Sequence, residues 1–382
     1  MRTAWRAAQT SMALVATWAL LLANSQPAHA GDFDLKLGRL CEIQLTTGQR
    51  IDCGAYRPRL GDVSGVIPDN AAFRSLMSEL GVLFAPNVLA PAETFGWGGF
   101  TFAVEFGFTT LNPKKNSTNV VPDGNGERSR EGRYWRAAES VPDNAFEGSG
   151  NNIALIENNL PQAIAPTVTL MLRKGLWLPV PSFELGIGVR HLIGSRMWSG
   201  IAQAKISLHE GYQGLPLPAF SIRGMGSRVF NTPGFNLTMA GLDFSISKHF
   251  GIASTFNLMP YVGYQLIWII ADSSVIDATP NVDGFGESLK LNPNQLNVCS
   301  HPDCNANFTF DDQADILRHR FFIGMRLNFY IVSFLLEYNY FAAGREADNV
   351  FEAVGAGALR NREVRDQSGA QHSINFAVAL DY

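Results

Sequence analysis

Twelve charged residues in this 382-residue sequence fall in segments that alternate apolar and polar side chains, and all sit in the polar phase: Glu105, Arg173, Glu184, Arg190, Lys205, Arg223, Asp243, Arg318, Arg320, Arg326, Glu337 and Asp381. Seven basic and five acidic groups sharing one phase can do either of two things. They can pair with one another as a structural network, or Arg318, Arg320 and Arg326 can bias a water-filled passage toward anions. Charge excess by itself leaves both readings open.

Other groupings are poorer in chemistry. Cys299-Ser300-His301-Pro302-Asp303-Cys304 brackets an imidazole and a carboxylate with two thiols, but it lacks the second half of a zinc signature, and a loop disulfide is the expectation. Asp311-Asp312-Gln313-Ala314-Asp315 lacks the glycine and distal glutamate of a calcium loop. No metal or cofactor is expected. His191 with Ser195, and His319, come nearest to a base with a nucleophile. They stand in no motif, and the chain is not expected to be an enzyme. Gly224-Met225-Gly226-Ser227-Arg228 lies mid-strand with no helix after it, so it is no phosphate cradle.

The ends of the chain say where such residues are held. Arg2 and Arg6 precede an apolar run from Met12 to Ala23, and Ala28-His29-Ala30 supplies small residues before Gly31. This is the layout of a cleaved signal peptide over 1–30, too short to span a bilayer core. Only 17% of residues are charged, with 36 Gly and 26 Phe, which suits strands facing lipid on one side better than a soluble enzyme. Removing Arg2 and Arg6 leaves 28 basic against 34 acidic residues, a net charge of −6, which argues against a nucleic-acid partner. Four cysteines in an oxidising compartment predict two disulfides.

Period-two alternation predicts ten strands, over 98–110, 166–177, 181–193, 197–209, 217–229, 235–247, 254–271, 316–330, 332–343 and 372–382. Twelve remain open if 80–90 or part of a long loop pairs. In the last segment Ile374, Phe376, Val378, Leu380 and Tyr382 share one face, opposite Ser373, Asn375, Ala377, Ala379 and Asp381. This segment resembles the carboxyl-terminal signature of bacterial outer-membrane β-barrel proteins. The resemblance is to the class and covers the leader and residues from about 98 to the end. It implies an antiparallel up-and-down transmembrane barrel in the outer membrane of a Gram-negative cell. It also implies that Phe376, Val378, Leu380 and Tyr382 are read by the assembly machinery. With the last strand ending in the periplasm, every long connection (111–165, 272–315, 344–371) falls outside and only short turns fall inside, as outer-membrane barrels show. Trp97 and Trp177 then mark the inner interface and Trp198 and Trp268 the outer one.

Residues 31–95 are expected to form a separate periplasmic segment before a barrel over 96–382. Cys41 and Cys53 are placed to tie the ends of a hairpin turning at Thr47-Gly48. An amphipathic helix follows, capped by Asp69 or Asn70 and stopped by Pro86, with Phe73, Leu76, Met77, Leu80, Leu83 and Phe84 on one face. A helix this short needs a partner for that face. The inner leaflet, the periplasmic mouth and the lumen, where Phe73, Leu76, Met77 and Leu80 would plug, are all available. The functional expectation is a passive channel or transporter for a small solute with a partly plugged lumen. The alternatives are a non-conducting barrel for surface display, adhesion or envelope integrity and, more remotely, a lipid-modifying enzyme.

Overall fold

The computed structural model describes residues 33–53, 63–111, 121–122, 128–129, 134–137, 163–177, 181–209, 217–232, 234–252, 256–277, 307–354 and 358–382. The expected leader, Cys299, His301, Asp303 and Cys304 lie outside them.

Ten antiparallel strands close into a barrel: β4 (Phe100–Thr110), β5 (Ile164–Trp177), β6 (Ser182–Leu192), β7 (Trp198–His209), β8 (Ala219–Phe230), β9 (Phe235–Ser247), β10 (Phe256–Ser273), β11 (Gln313–Phe329), β12 (Val332–Phe341) and β15 (Gln371–Asp381). Each pairs with the next of these ten, and β15 pairs back onto β4, with Phe376 opposite Phe106. A further strand, Phe250–Ile252, adds to the edge of β10. Closure leaves no free barrel edge, which is what a sheet needs to cross a bilayer. The outward positions Leu185, Ile187, Val189, Val262, Ile323, Phe334, Leu336, Ile374, Phe376, Val378 and Leu380 are exposed large apolar residues. Polar and charged residues take many of the alternate, inward positions, beside an inward apolar set.

All ten expected strands are present with ends shifted by up to three residues, and the barrel does not expand to twelve. Three pairings escaped the reading: the short pairs 121–122 with 128–129 and 276–277 with 307–308, and the longer hairpin of β13 (Ala347–Val354) with β14 (Ala358–Arg365), whose charged sequence hides the alternation. The ends of the barrel differ. One, here the turn end, carries the β5–β6, β7–β8, β9–β10 and β11–β12 turns and the terminal Tyr382. The other, the loop end, carries every long connection.

The amino-terminal residues do not form a separate unit at the turn end, and the structure corrects that expectation. Strands β1 (Cys41–Leu45), β2 (Arg50–Asp52) and β3 (Val63–Pro68) make a small sheet in the order β2-β1-β3, with Cys41 and Cys53 joined by a disulfide. This cap sits at the loop end. The Phe33 amide donates to the Gly194 carbonyl at 3.1 Å, and Asp34 accepts from the Arg196 amide at 2.8 Å.

From the cap, helix α1 (Asn70–Phe84) runs into the lumen. The Asp69 side chain accepts from the Ala72 amide, the capping bond that starts a helix. Ala85 is extended (ψ 135°), as the residue before Pro86 must be, and the helix stops there. Its apolar face meets a partner that outward-facing lipid contact would not have revealed. Leu237, Met239, Ile267, Ile269 and Ile316 turn apolar side chains inward at the loop end and join one core with Phe73, Leu76, Met77 and Leu80. Phe73 stacks on Phe310 with ring centroids 4.4 Å apart. Gly81 lies so close to the Ile269 side chain that a Cβ there would collide with it.

Candidate functional site

Below the helix the chain continues as an extended run down the lumen to Gly96 and Gly98, whose positive φ (70° and 81°) turns it into β4. This run and the helix follow β11 from end to end. Asn70 exchanges hydrogen bonds with Asp311, Arg74 donates to Gln313 and Asp315, and Ser78 accepts from Arg318. Farther down, the Pro86 carbonyl accepts from Arg320, and Phe95 lies under the Arg326 guanidinium at 4.7 Å.

The wall holds the extended run by its backbone. Arg190 donates to the carbonyls of Leu83 and Ala85, Ser227 to Phe84, Arg320 to Pro86, Arg223 to Val88, Arg173 to Leu89, and Lys205 to Pro91 and Glu93. Amide groups are met as well. The Leu89 N–H donates to Glu337 at 2.7 Å and the Ala92 N–H to Ser247 at 3.1 Å. Leu89 has φ 31°, a conformation a residue with a side chain rarely adopts, and both of its backbone polar groups are gripped. A run outside helix and sheet has no internal partners for its amides and carbonyls, so burying one is possible only if something else supplies them. Here the barrel wall does.

The eleven expected lumen residues all lie inside and buried: Glu105, Arg173, Glu184, Arg190, Lys205, Arg223, Asp243, Arg318, Arg320, Arg326 and Glu337. Register decides how they combine. Arg223 faces Asp243 and Lys205 faces Glu184 directly across strand pairs, at 2.9 and 3.2 Å. Arg173 reaches Glu105 at 2.8 Å and Arg320 reaches Glu337 at 2.9 Å by diagonal contacts. Arg326 pairs with Asp381 at 2.5 Å. Among the described residues Arg318 has no carboxylate within ion-pair distance; Ser78, Ser368 and the carbonyls of Ala342 and Gly369 accept its hydrogen bonds. Arg318, Arg320 and Arg326 therefore do not form the open row of cations that the spacing allowed. Each is engaged.

Several members of this network were missed in the sequence: Ser78, Asn87, Thr169, Ser227, Tyr261 and Ser368. Tyr261 donates to Glu337 at 3.0 Å, and Asn87 to Glu105 at 3.4 Å. Tyr134 and Trp135, on a short 3-10 turn, both donate to the buried Glu79 at 2.6 Å. Neutral donors inside a barrel look like ordinary polar-face residues until register places them.

The expected rim groups act otherwise. His191 stacks on Trp198 at 4.2 Å and the Ser195 hydroxyl donates to the Leu192 carbonyl, so the two do not meet. His319 lies 2.6 Å from the Tyr264 hydroxyl. Trp97, Trp198 and Trp268 are exposed at the barrel ends, and Phe376, Val378, Leu380 and Tyr382 face outward. Among the described residues no cluster of three or more His, Cys, Asp or Glu could hold a metal.

No family model matches the sequence, and no curated protein matches it. Solved structures that resemble it are membrane barrels. They include OmpT, an outer membrane protein of Vibrio cholerae, at 11% identity over 57% of this chain and 60% of that one, with a TM-score of 0.22. The chain thus spans less than two thirds of that structure. The transport unit of the autotransporter AIDA-I from Escherichia coli aligns at 7% identity over 81% of this chain and 98% of that one, with a TM-score of 0.31. The translocator domain of the autotransporter NalP from Neisseria meningitidis aligns at 8% identity over 81% and 96%, with a TM-score of 0.29. At such values the fold rests on the strand pairing itself.

Proposed function

We propose that this is an outer-membrane barrel whose lumen is closed by its own amino-terminal segment, with the loop end outside the cell and the turn end in the periplasm. One observation carries the reading: five cations from five different strands, Arg173, Arg190, Lys205, Arg223 and Arg320, donate into the carbonyls of Leu83, Ala85, Pro86, Val88, Leu89, Pro91 and Glu93. A solute would have to displace a backbone held at that many points. The cap of β1–β3 and the β13–β14 hairpin then form an outer surface, and the resting function is display or envelope integrity without permeation. The reading includes no catalytic step. The bilayer and the barrel-assembly machinery are its proposed partners.

A specific observation favours a gated channel as the second reading. The pairs Arg173–Glu105, Lys205–Glu184, Arg223–Asp243 and Arg320–Glu337 lie entirely within the wall. Withdrawing the plug would leave them paired and open to water, a surface fit for a small solute. Swelling of liposomes carrying the intact chain separates closed from open. In a small neutral sugar they should swell no faster than protein-free vesicles, and rapid swelling would overturn the closed reading.

A further inference from the structure

We propose that Arg190, flanked by Thr169 and Ser199, is an anion-binding site that the end of the plug helix masks, so that a small oxyanion of phosphate type and the plug compete for one guanidinium. The proposal rests on the plug reading above and adds a ligand class and a regulation to it.

Arg190 differs from the other lumen cations. Five of the seven have a carboxylate within ion-pair distance, and Arg318 is surrounded by hydroxyl and carbonyl acceptors. Arg190 has neither. Its Nε donates to Thr169 at 2.9 Å, and its Nη1 donates to the carbonyls of Leu83 and Ala85. Its Nη2 has no hydrogen-bond partner although the residue is 1% exposed. Ser199 stands directly opposite on β7, fully buried, and its hydroxyl also lacks a partner. Two donors without a partner among the described residues thus belong to residues directly opposite across a strand pair, and Thr169 stands opposite Arg190 on the other side.

The only counter-charge the plug brings to Arg190 is the carboxyl end of α1. Exposed carbonyls there carry about half a negative charge, and the helix has no basic residue in its last turn. Removing the plug would leave Arg190 in a confined space with its nearest wall carboxylates, Glu105 and Glu337, already paired with Arg173 and Arg320. An uncompensated charge at such a place is costly, and an anion from solution offsets that cost. The planar guanidinium fork suits two oxygens of a phosphate or carboxylate, and the Ser199 and Thr169 hydroxyls can donate to a third. Because plug and anion use the same donors, each weakens the other's binding by the same factor.

The test uses the full-length chain carrying Val88→Cys, a fully buried plug position. Alkylation by a small maleimide is read at position 88 by peptide mass, in sodium phosphate and in sodium chloride at equal ionic strength. Phosphate should speed alkylation about tenfold, in the range of ordinary site-to-site coupling. Adding Arg190→Gln should abolish the difference. Should that variant not fold, Ser199→Ala, which removes no hydrogen bond to the plug, should reduce it. Equal rates in the two salts, no alkylation in either, or a phosphate effect untouched by these substitutions would overturn the anion site and leave the plug in place. Immediate alkylation in both salts would overturn the plug reading itself.

Discussion

The upper and lower halves of the plug are held by opposite means. Helix α1 is anchored by its own side chains: Arg74 to Gln313 and Asp315, Ser78 to Arg318, Glu79 to Tyr134 and Trp135, and an apolar face against Phe310 and Ile269. Residues 85–93 take their polar anchorage chiefly from the backbone, whose carbonyls accept from cations of the wall. The difference teaches where specificity resides. In the upper half the plug's side chains choose its polar seat; in the lower half the barrel's side chains supply the polar grip, and the plug adds the buried Val88 and Leu89.

The largest expected effect falls on the wall side of the lower half. Arg320→Leu strands the buried Glu337 without its cation and leaves the Pro86 carbonyl unmet, and should lower stability by about 3–5 kcal/mol in urea unfolding followed by tryptophan fluorescence. Next comes the helix seat. Gly81→Leu forces α1 away from Ile269 and should cost about 1–3 kcal/mol, with solute entry into liposomes as a second readout. On the plug side of the lower half, Pro91→Ala keeps the carbonyl that Lys205 uses and should cost less than about 1 kcal/mol. A cost as large as that of Arg320→Leu would break the contrast.

The smallest effect belongs to the rim. Burial first, and the neighbouring Asp312 next, hold the Asp311 carboxyl above the usual carboxylate range. A carboxyl whose folded pKa is raised favours the folded state at acid pH, and that contribution fades as the pH rises through the folded value. Asp311→Asn keeps an acceptor for Asn70, so it should raise stability slightly at neutral pH and flatten this dependence on going from acid to neutral. A loss at neutral pH would show that the charge itself is needed.

Much of the barrel was legible because its physics is periodic. Alternation located all ten strands, the parity of connection lengths separated the two ends, and the same phase put Glu105, Arg190 and Glu337 on the inward side. The pairing among those charges was not legible, since a diagonal contact such as Arg320 to Glu337 depends on strand register that alternation leaves free. The helix was visible, its seat was not. The clue was the inward apolar set Leu237, Met239, Ile267 and Ile269, which a lipid-facing reading of both strands conceals. The grip on 85–93 had no signal in that segment, because carbonyl groups are the same in every sequence.

Single-channel recording of the refolded full-length protein in a planar bilayer tests the central claim most directly. The account predicts silence from the intact chain and discrete openings from Gly81→Leu. Steady conductance from the intact chain, while the cysteine of a Val88→Cys variant stays protected from alkylation, would contradict it.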